Sequence, residues 1–283
     1  MDLINTNKID KDMFQSINLW SPKEGAPVYG GQIIAQALDA ALKTLDSRRR
    51  MHSLHAYFHR PGNISTPITY SVERLRDGKT LSLRRVIGTQ LNKTIFTMEV
   101  SFKENIIGQP VHKSVILDHP TNNLITFKNY IYNSVIQIVS ENMADLLLRK
   151  IEAHMKPFLK HFEIKVNEIS NMETKRYLKI KIKEEVGIEV MVPILALLSD
   201  FFLIESAMLI LNMSTFSPKI HLFTSIDHNL YLNNVDVYNN EVVYSTECIQ
   251  IGDGMVLCMG YLFNTKNELI GTSMQEGMLI LKE

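Results

Sequence analysis

Three histidines fall within eight positions of the chain, His52, His55 and His59 in "MHSLHAYFHRPG", a density that invites a metal-site reading. On a helix they would share one face at i, i+3 and i+7, but Tyr57 and Phe58 favour a strand, and Pro61-Gly62 ends whatever precedes it. As a strand, the segment sends His55, Tyr57 and His59 to one side and His52, Ala56 and Phe58 to the other. No cysteine or carboxylate set stands at ligand spacing around them, so no metal is expected. Two acids, Asp200 and Glu205, interrupt the longest apolar window, "MVPILALLSDFFLIESAMLILNM". An acid near the centre of a membrane-spanning helix costs about 2.5 to 3.5 kcal/mol, so the window reads as a buried helix from 193 to about 211 rather than a span. Pro193 suits its first turn. The chain has no Gly-x-Ser-x-Gly elbow, no dinucleotide glycine loop and no phosphate loop, and no cofactor is expected.

Those residues need a scaffold. The chain has 283 residues, 45% of them hydrophobic, enough for a substantial core. Thirty basic side chains balance thirty acidic ones, so the positive field that draws nucleic acid or anionic membrane is missing and neither is an expected partner. Cys248 and Cys258 are the only cysteines, too few for a disulfide framework, which fits a reducing compartment. The amino-terminal stretch mixes charges from residue 2 without an apolar run, and "ILKE" is not a peroxisomal address. The expected location is cytoplasmic, with the peroxisome and the mitochondrial matrix as open alternatives.

Periodicity and turn signals give a helix over 30–45, then strands over 52–59, 68–75, 81–90 and 93–102, separated by Pro61-Gly62, Asp77-Gly78 and Asn92-Lys93. The second half repeats the order: the apolar helix, then strands over 221–232, 241–251, 255–263 and 269–281. "HSLHAYFHR" corresponds to "SIDHNLYLN", "ITYSVERLRDG" to "VVYSTECIQIGDG", and "NKTIFTMEVSF" to "NELIGTSMQEGM". Asp-Gly, a favoured hairpin pair, punctuates both halves. This is the pattern of a duplicated α+β unit, an antiparallel sheet around one long helix. The expected division is 1–114 for the first copy, 115–156 for a helical connection, and 157–283 for the second copy, opened by strands in "FLKHFEIKVNEI" and "YLKIKIKEE".

A sheet wrapped round a helix is the hotdog arrangement, and two copies make a double hotdog. "VYGGQIIAQAL", "HSLHAYFHRPG", "ERLRDGKTLSLRRV", "LLSDF", "SIDHNLYL" and "TSMQEGM", in that order, resemble the successive signatures of the acyl-CoA thioesterase II family from about Val28 to Met278. The resemblance implies hydrolysis of fatty acyl-CoA by activated water. It assigns catalysis to Asp200 in "LLSDF", Ser225 in "SIDH" and Gln275 in "MQEGM". Burial would raise the Asp200 pKa and strengthen it as a base, with Ser225 and Gln275 as donors that fix the water, and a helix amino terminus is expected to serve the oxyanion.

The same resemblance places His52 and His55 along the acyl channel, although Asn63 stands where the family often carries aspartate after "RPG". Gly30 and Gly31 open the first helix, where close approach and exposed amides suit a thioester oxygen or phosphate. Arg48, Arg49, Arg50, Arg84 and Arg85 are candidates for coenzyme A phosphates. Asp227 shares the strand face of Ser225 and competes as base. Two rival functions are carried: a hotdog hydratase using Asp227 and His228, and a noncatalytic acyl-thioester binder. Homo-oligomers are expected because hotdog sheets pair at their edges.

Overall fold

The computed structural model describes residues 1–46, 49–104, 110, 112, 124–167, 174–233 and 239–282. Arg48 and the expected boundary at 114–115 lie outside the described residues. The first half runs β1 (Thr6–Asp10), β2 (Met13–Ser16), α1 (Gly30–Leu42), β3 (Arg50–Phe58), β4 (Thr69–Asp77), β5 (Leu81–Gln90) and β6 (Lys93–Lys103). The connection holds β7 (Leu124–Thr126), α2 (Phe127–Ile136) and α3 (Glu141–Leu159). The second half runs β8 (Phe162–Asn167), β9 (Lys175–Ile182), α4 (Ile188–Ser199), a 3-10 turn (Ile204–Ser206) leading into α5 (Ala207–Ile210), β10 (Ile220–Ser225), β11 (Asp227–Leu232), β12 (Glu241–Gly252), β13 (Met255–Asn264) and β14 (Leu269–Leu281).

The strands form one antiparallel sheet in the order β1-β2-β4-β5-β6-β3-β11-β14-β13-β12-β9-β8-β7, with β10 also on β14. The two halves meet where β3 pairs with β11, from Asp227 opposite Tyr57 to Tyr231 opposite Ser53. The sheet encloses α1 and α4, which pack on each other. This is the double hotdog arrangement. Alternation sets the sheet's inner face: in β5 and β13 every second residue is buried, and those residues close over the helices. The hairpin between β12 and β13 turns on Asp253 and Gly254 at φ 50° and 76°, the left-handed pair its Asp-Gly signal predicts.

α1 is buried along nearly its whole length, including Gln32 and Gln36. A buried amide needs partners. Gln32 Nε2 donates to the Leu3 carbonyl at 2.9 Å, Gln36 Nε2 to that of Asn18 at 2.8 Å, and the Tyr70 hydroxyl donates to Gln36 Oε1 at 2.9 Å. These bonds tie down the amino-terminal segment, for which the sequence offered no assignment.

The apolar helix expected over 193–211 is instead broken. α4 ends at Ser199, Asp200 caps it, and Phe202 adopts a left-handed φ of 61° before the 3-10 turn begins. Pro193 accordingly sits in the helix interior rather than its first turn, and Gly187 is the N-cap. Among the described residues no helix is long and apolar enough to cross a membrane.

Candidate active site

The end of α4 is buried, so its last four carbonyls lack the usual recourse to water. Each finds a donor. Ser199 Oγ donates to the Ala196 carbonyl at 2.9 Å, the Tyr29 hydroxyl to that of Leu197 at 3.0 Å, the Phe201 amide to that of Leu198 at 3.0 Å, and the Tyr244 hydroxyl to that of Ser199. This satisfied terminus fixes Asp200, which is 7% exposed.

The Asp200 carboxylate stands at the negative end of its own helix but against the positive end of α1, whose N-cap Tyr29 makes no side-chain capping bond. The Gly31 amide donates to Asp200 Oδ2 at 2.6 Å, and Gln275 Nε2, from β14, donates to Oδ1 at 2.6 Å. Glycine is required at 31: a Cβ there would lie 2.5 Å from the Leu197 carbonyl oxygen and 2.7 Å from the Tyr29 ring. Burial raises the Asp200 pKa above its ordinary value, while the bonds from Gln275 and Gly31 oppose that rise. The helix amino terminus expected to serve an oxyanion thus serves, at Gly31, the carboxylate itself.

Aromatic rings wall this corner on one side. Phe201, next to Asp200, stacks on Phe158 of α3 with centroids 4.9 Å apart, Phe127 of α2 approaches Phe201 to 6.0 Å, and Trp20 stacks on Phe158 at 5.1 Å. The connecting segment, which carried no chemistry as sequence, therefore supplies part of the wall.

Ser225 ends β10 opposite Gly277, on the inner face that Gln275 also occupies, and its hydroxyl makes no side-chain hydrogen bond among the described residues. One strand was expected over 221–232; two occur, with an irregularity at Ile226 between them. Ser225 pairs with Gly277, whereas Asn229 pairs with Met274, so the register slips by one residue in between. The slip turns Ser225 and His228 to the same inner face and Asp227 to the other. Asp227 therefore does not share a face with Ser225, and its carboxylate accepts the Glu276 amide at 2.7 Å and Asn229 Nδ2 at 3.2 Å. No Asp-His pair is assembled from Asp227 and His228. The second histidine, 0% exposed, lies with its Nδ1 4.0 Å from Asp200 Oδ1. Sequence reasoning left it out of the catalytic set, treating it only as the counterpart of His55 and as half of a hydratase pair.

Of the other candidates, one more glycine adjoins Asp200 and the histidines and arginines lie elsewhere. Gly30 abuts Asp200 as Gly31 does; a Cβ at 30 would come within 3.1 Å of Asp200 Oδ2. His52, half-buried at a β-bulge, bonds Ser101 Oγ at 2.9 Å, and desolvation together with Lys103 lowers its pKa. His55 is exposed on the outer face, bonded to Asn229 Oδ1 at 2.7 Å and edge-on to Tyr231. Arg84 is buried and engaged by Thr44, by the carbonyls of Arg76 and Leu83, and by Asp77 at 2.6 Å. Arg85 is exposed between Glu73 and Glu99. Neither arginine offers a guanidinium uncommitted to a carboxylate. Among the described residues no cluster of three or more histidine, cysteine, aspartate or glutamate side chains is arranged to hold a metal ion.

Comparison with known proteins matches residues 17–103 to the acyl-CoA thioesterase N-terminal domain and residues 147–279 to the acyl-CoA thioesterase C-terminal domain. The chain is 27% identical over 290 residues to acyl-coenzyme A thioesterase 8 of Homo sapiens, covering 99% of this chain and 88% of that protein. It is 28% identical over 264 residues to acyl-CoA thioesterase 2 of Haemophilus influenzae, covering 90% and 88%. Among solved structures, an acyl-CoA thioesterase II from Mycobacterium marinum superposes with a TM-score of 0.76 at 19% identity, covering 100% of this chain and 97% of that one.

Proposed function

This chain belongs to the acyl-CoA thioesterase family, enzymes that hydrolyse acyl-CoA thioesters, and we propose that it does so on fatty acyl-CoA with Asp200 as the base that activates water. The observation that carries this reading is the buried Asp200 carboxylate, raised in pKa yet held by Gln275 and Gly31.

The chemistry follows from that environment. A thioester carbonyl is electrophilic enough for water to attack without a covalent intermediate. Water donates a proton to Asp200 as its oxygen bonds to the carbonyl carbon; the carbon–sulfur bond then breaks, and the thiolate takes the proton back, leaving acid and free coenzyme A. Gln275 orients the carboxylate. Ser225, on the same inner face with an uncommitted hydroxyl, is the donor for the developing oxyanion or the water. Gly30 and Gly31 pack against Asp200 at this corner, whereas His52 is taken up by Ser101 farther along β3. The working units are residues 1–114 and 157–283, joined by 115–156, in a cytoplasmic enzyme. A second copy would pair along β1, a sheet edge with four of five residues exposed.

The test is thiol release from a panel of acyl-CoAs of increasing chain length. Release of free coenzyme A with stoichiometric acid supports the reading. Tight binding without release would recast the protein as a binder, and loss of an enoyl double bond without thiol would make it a hydratase.

A further inference from the structure

The buried corner around Asp200 holds two side-chain atoms without a hydrogen-bond partner, His228 Nδ1 and Gln275 Oε1. The first can be given a definite role, one that rests on the reading of Asp200 as base. His228 Nε2 lies 2.9 Å from Ser199 Oγ. The single hydroxyl proton of Ser199 goes to the Ala196 carbonyl, which can only accept. Ser199 therefore accepts from His228, the ring proton sits on Nε2, and Nδ1 presents a lone pair. That lone pair faces Asp200 Oδ1 across 4.0 Å, too far for a direct bond and wrong in kind, since both atoms are acceptors.

Two acceptors at this separation fit one water between them. Hydrogen bonds of about 2.8 Å from one oxygen to acceptors 4.0 Å apart subtend about 90°, close to the angle between a water's two O–H bonds. The geometry points to His228 as a second catalytic residue: its Nδ1 and Asp200 Oδ1 accept the two hydrogens of the attacking water, leaving the oxygen lone pairs turned to the thioester carbon. Asp200 takes the proton and His228 stays neutral throughout. Burial supports that division, depressing the His228 pKa to about 3. Ser199, which touches neither water nor substrate, is a positioning residue that fixes the ring's tautomer.

The test compares His228→Phe, which removes the acceptor, with His228→Asn, whose amide oxygen can stand in for Nδ1, and with Ser199→Ala. Each is assayed for kcat and KM and for the ratio of acid to hydroxamate when hydroxylamine, a nucleophile that attacks without deprotonation, competes with water. H228F is expected to lose at least about tenfold in kcat with KM little changed, on the scale of a lost proton-transfer partner. Its products should shift toward hydroxamate, and H228N should recover most of the hydrolysis. S199A should lower kcat several-fold with the same shift. A merely structural histidine would depress both products together in every variant, which would overturn the assignment. So would wild-type kcat and product ratio in H228F, or, should H228F not fold, in S199A. Asp200→Asn in parallel separates the claims: full hydrolysis there removes the base itself, whereas an inactive D200N beside a fully active H228F removes only the role of His228.

Discussion

The Gly31 amide and the Asp200 carboxylate, 169 positions apart, meet at 2.6 Å, so the proposed base of the second half is held by the helix start of the first. Close packing at this junction depends on the missing side chain. Gly31→Ala would drive a methyl to 2.5 Å from the Leu197 carbonyl oxygen and force the helices apart. The expected loss is about 1–3 kcal/mol or more, the scale of overpacking a rigid core, together with most of the thiol-release activity. Urea unfolding and the acyl-CoA assay measure the two.

Asp200 must be ionised to accept a proton, and burial raises its pKa above the ordinary 3.8. Hydrolysis should therefore fall as pH drops through that raised value, giving an acid limb in kcat/KM displaced upward from an exposed aspartate. Asp200→Asn should abolish the limb and lower turnover by roughly a hundredfold or more. A D200N enzyme with wild-type rate and profile would show that another group carries the reaction.

Gln275→Ala removes a donor that holds the Asp200 pKa down. The acid limb should move to still higher pH and kcat should fall more than substrate affinity. An effect confined to KM would make Gln275 a binding residue.

Glu205, on the 3-10 turn, is pushed up by desolvation from 4.5 to about 7. The folded protein then keeps a proton that the unfolded chain has released, so this group's stabilising contribution is complete below pH 4.5 and lost as pH rises through 7. Glu205→Gln should flatten that dependence: between about pH 5 and about pH 8 the wild type should lose more stability than the variant. Chemical unfolding at both pH values provides the comparison.

The hairpin between β5 and β6 turns on Leu91 and Asn92 at φ 47° and 62°. A leucine in the left-handed region is strained, and this one is 75% exposed, so replacing it forfeits little packing. Leu91→Asn should stabilise the fold by about 0.5–1 kcal/mol with hydrolysis unchanged, read as a higher Tm.

Several of these positions could be read in the linear chain. The Asp253-Gly254 turn follows from local rules and appears as written. Asp200 and Gln275 were picked out by resemblance and prove to share a hydrogen bond. The break after Ser199 was hidden because the flanking residues are uniformly apolar; what stops the helix is Asp200 turning to a distant amide and Phe202 entering a left-handed conformation. His228 was masked by a one-residue slip, since counting by twos along 221–232 assigns Asp227 to the face that His228 occupies. The aromatic wall from α2 and α3 was illegible because Phe127 and Phe158 acquire meaning only against Phe201.

The backbone seam between β3 and β11 ties the two lobes rung by rung, from Ser53 with Tyr231 to Tyr57 with Asp227. Such a ladder leaves no jaw to swing open. On the fatty acyl-CoA reading proposed above, the tail would enter past side chains and loops rather than between parting lobes.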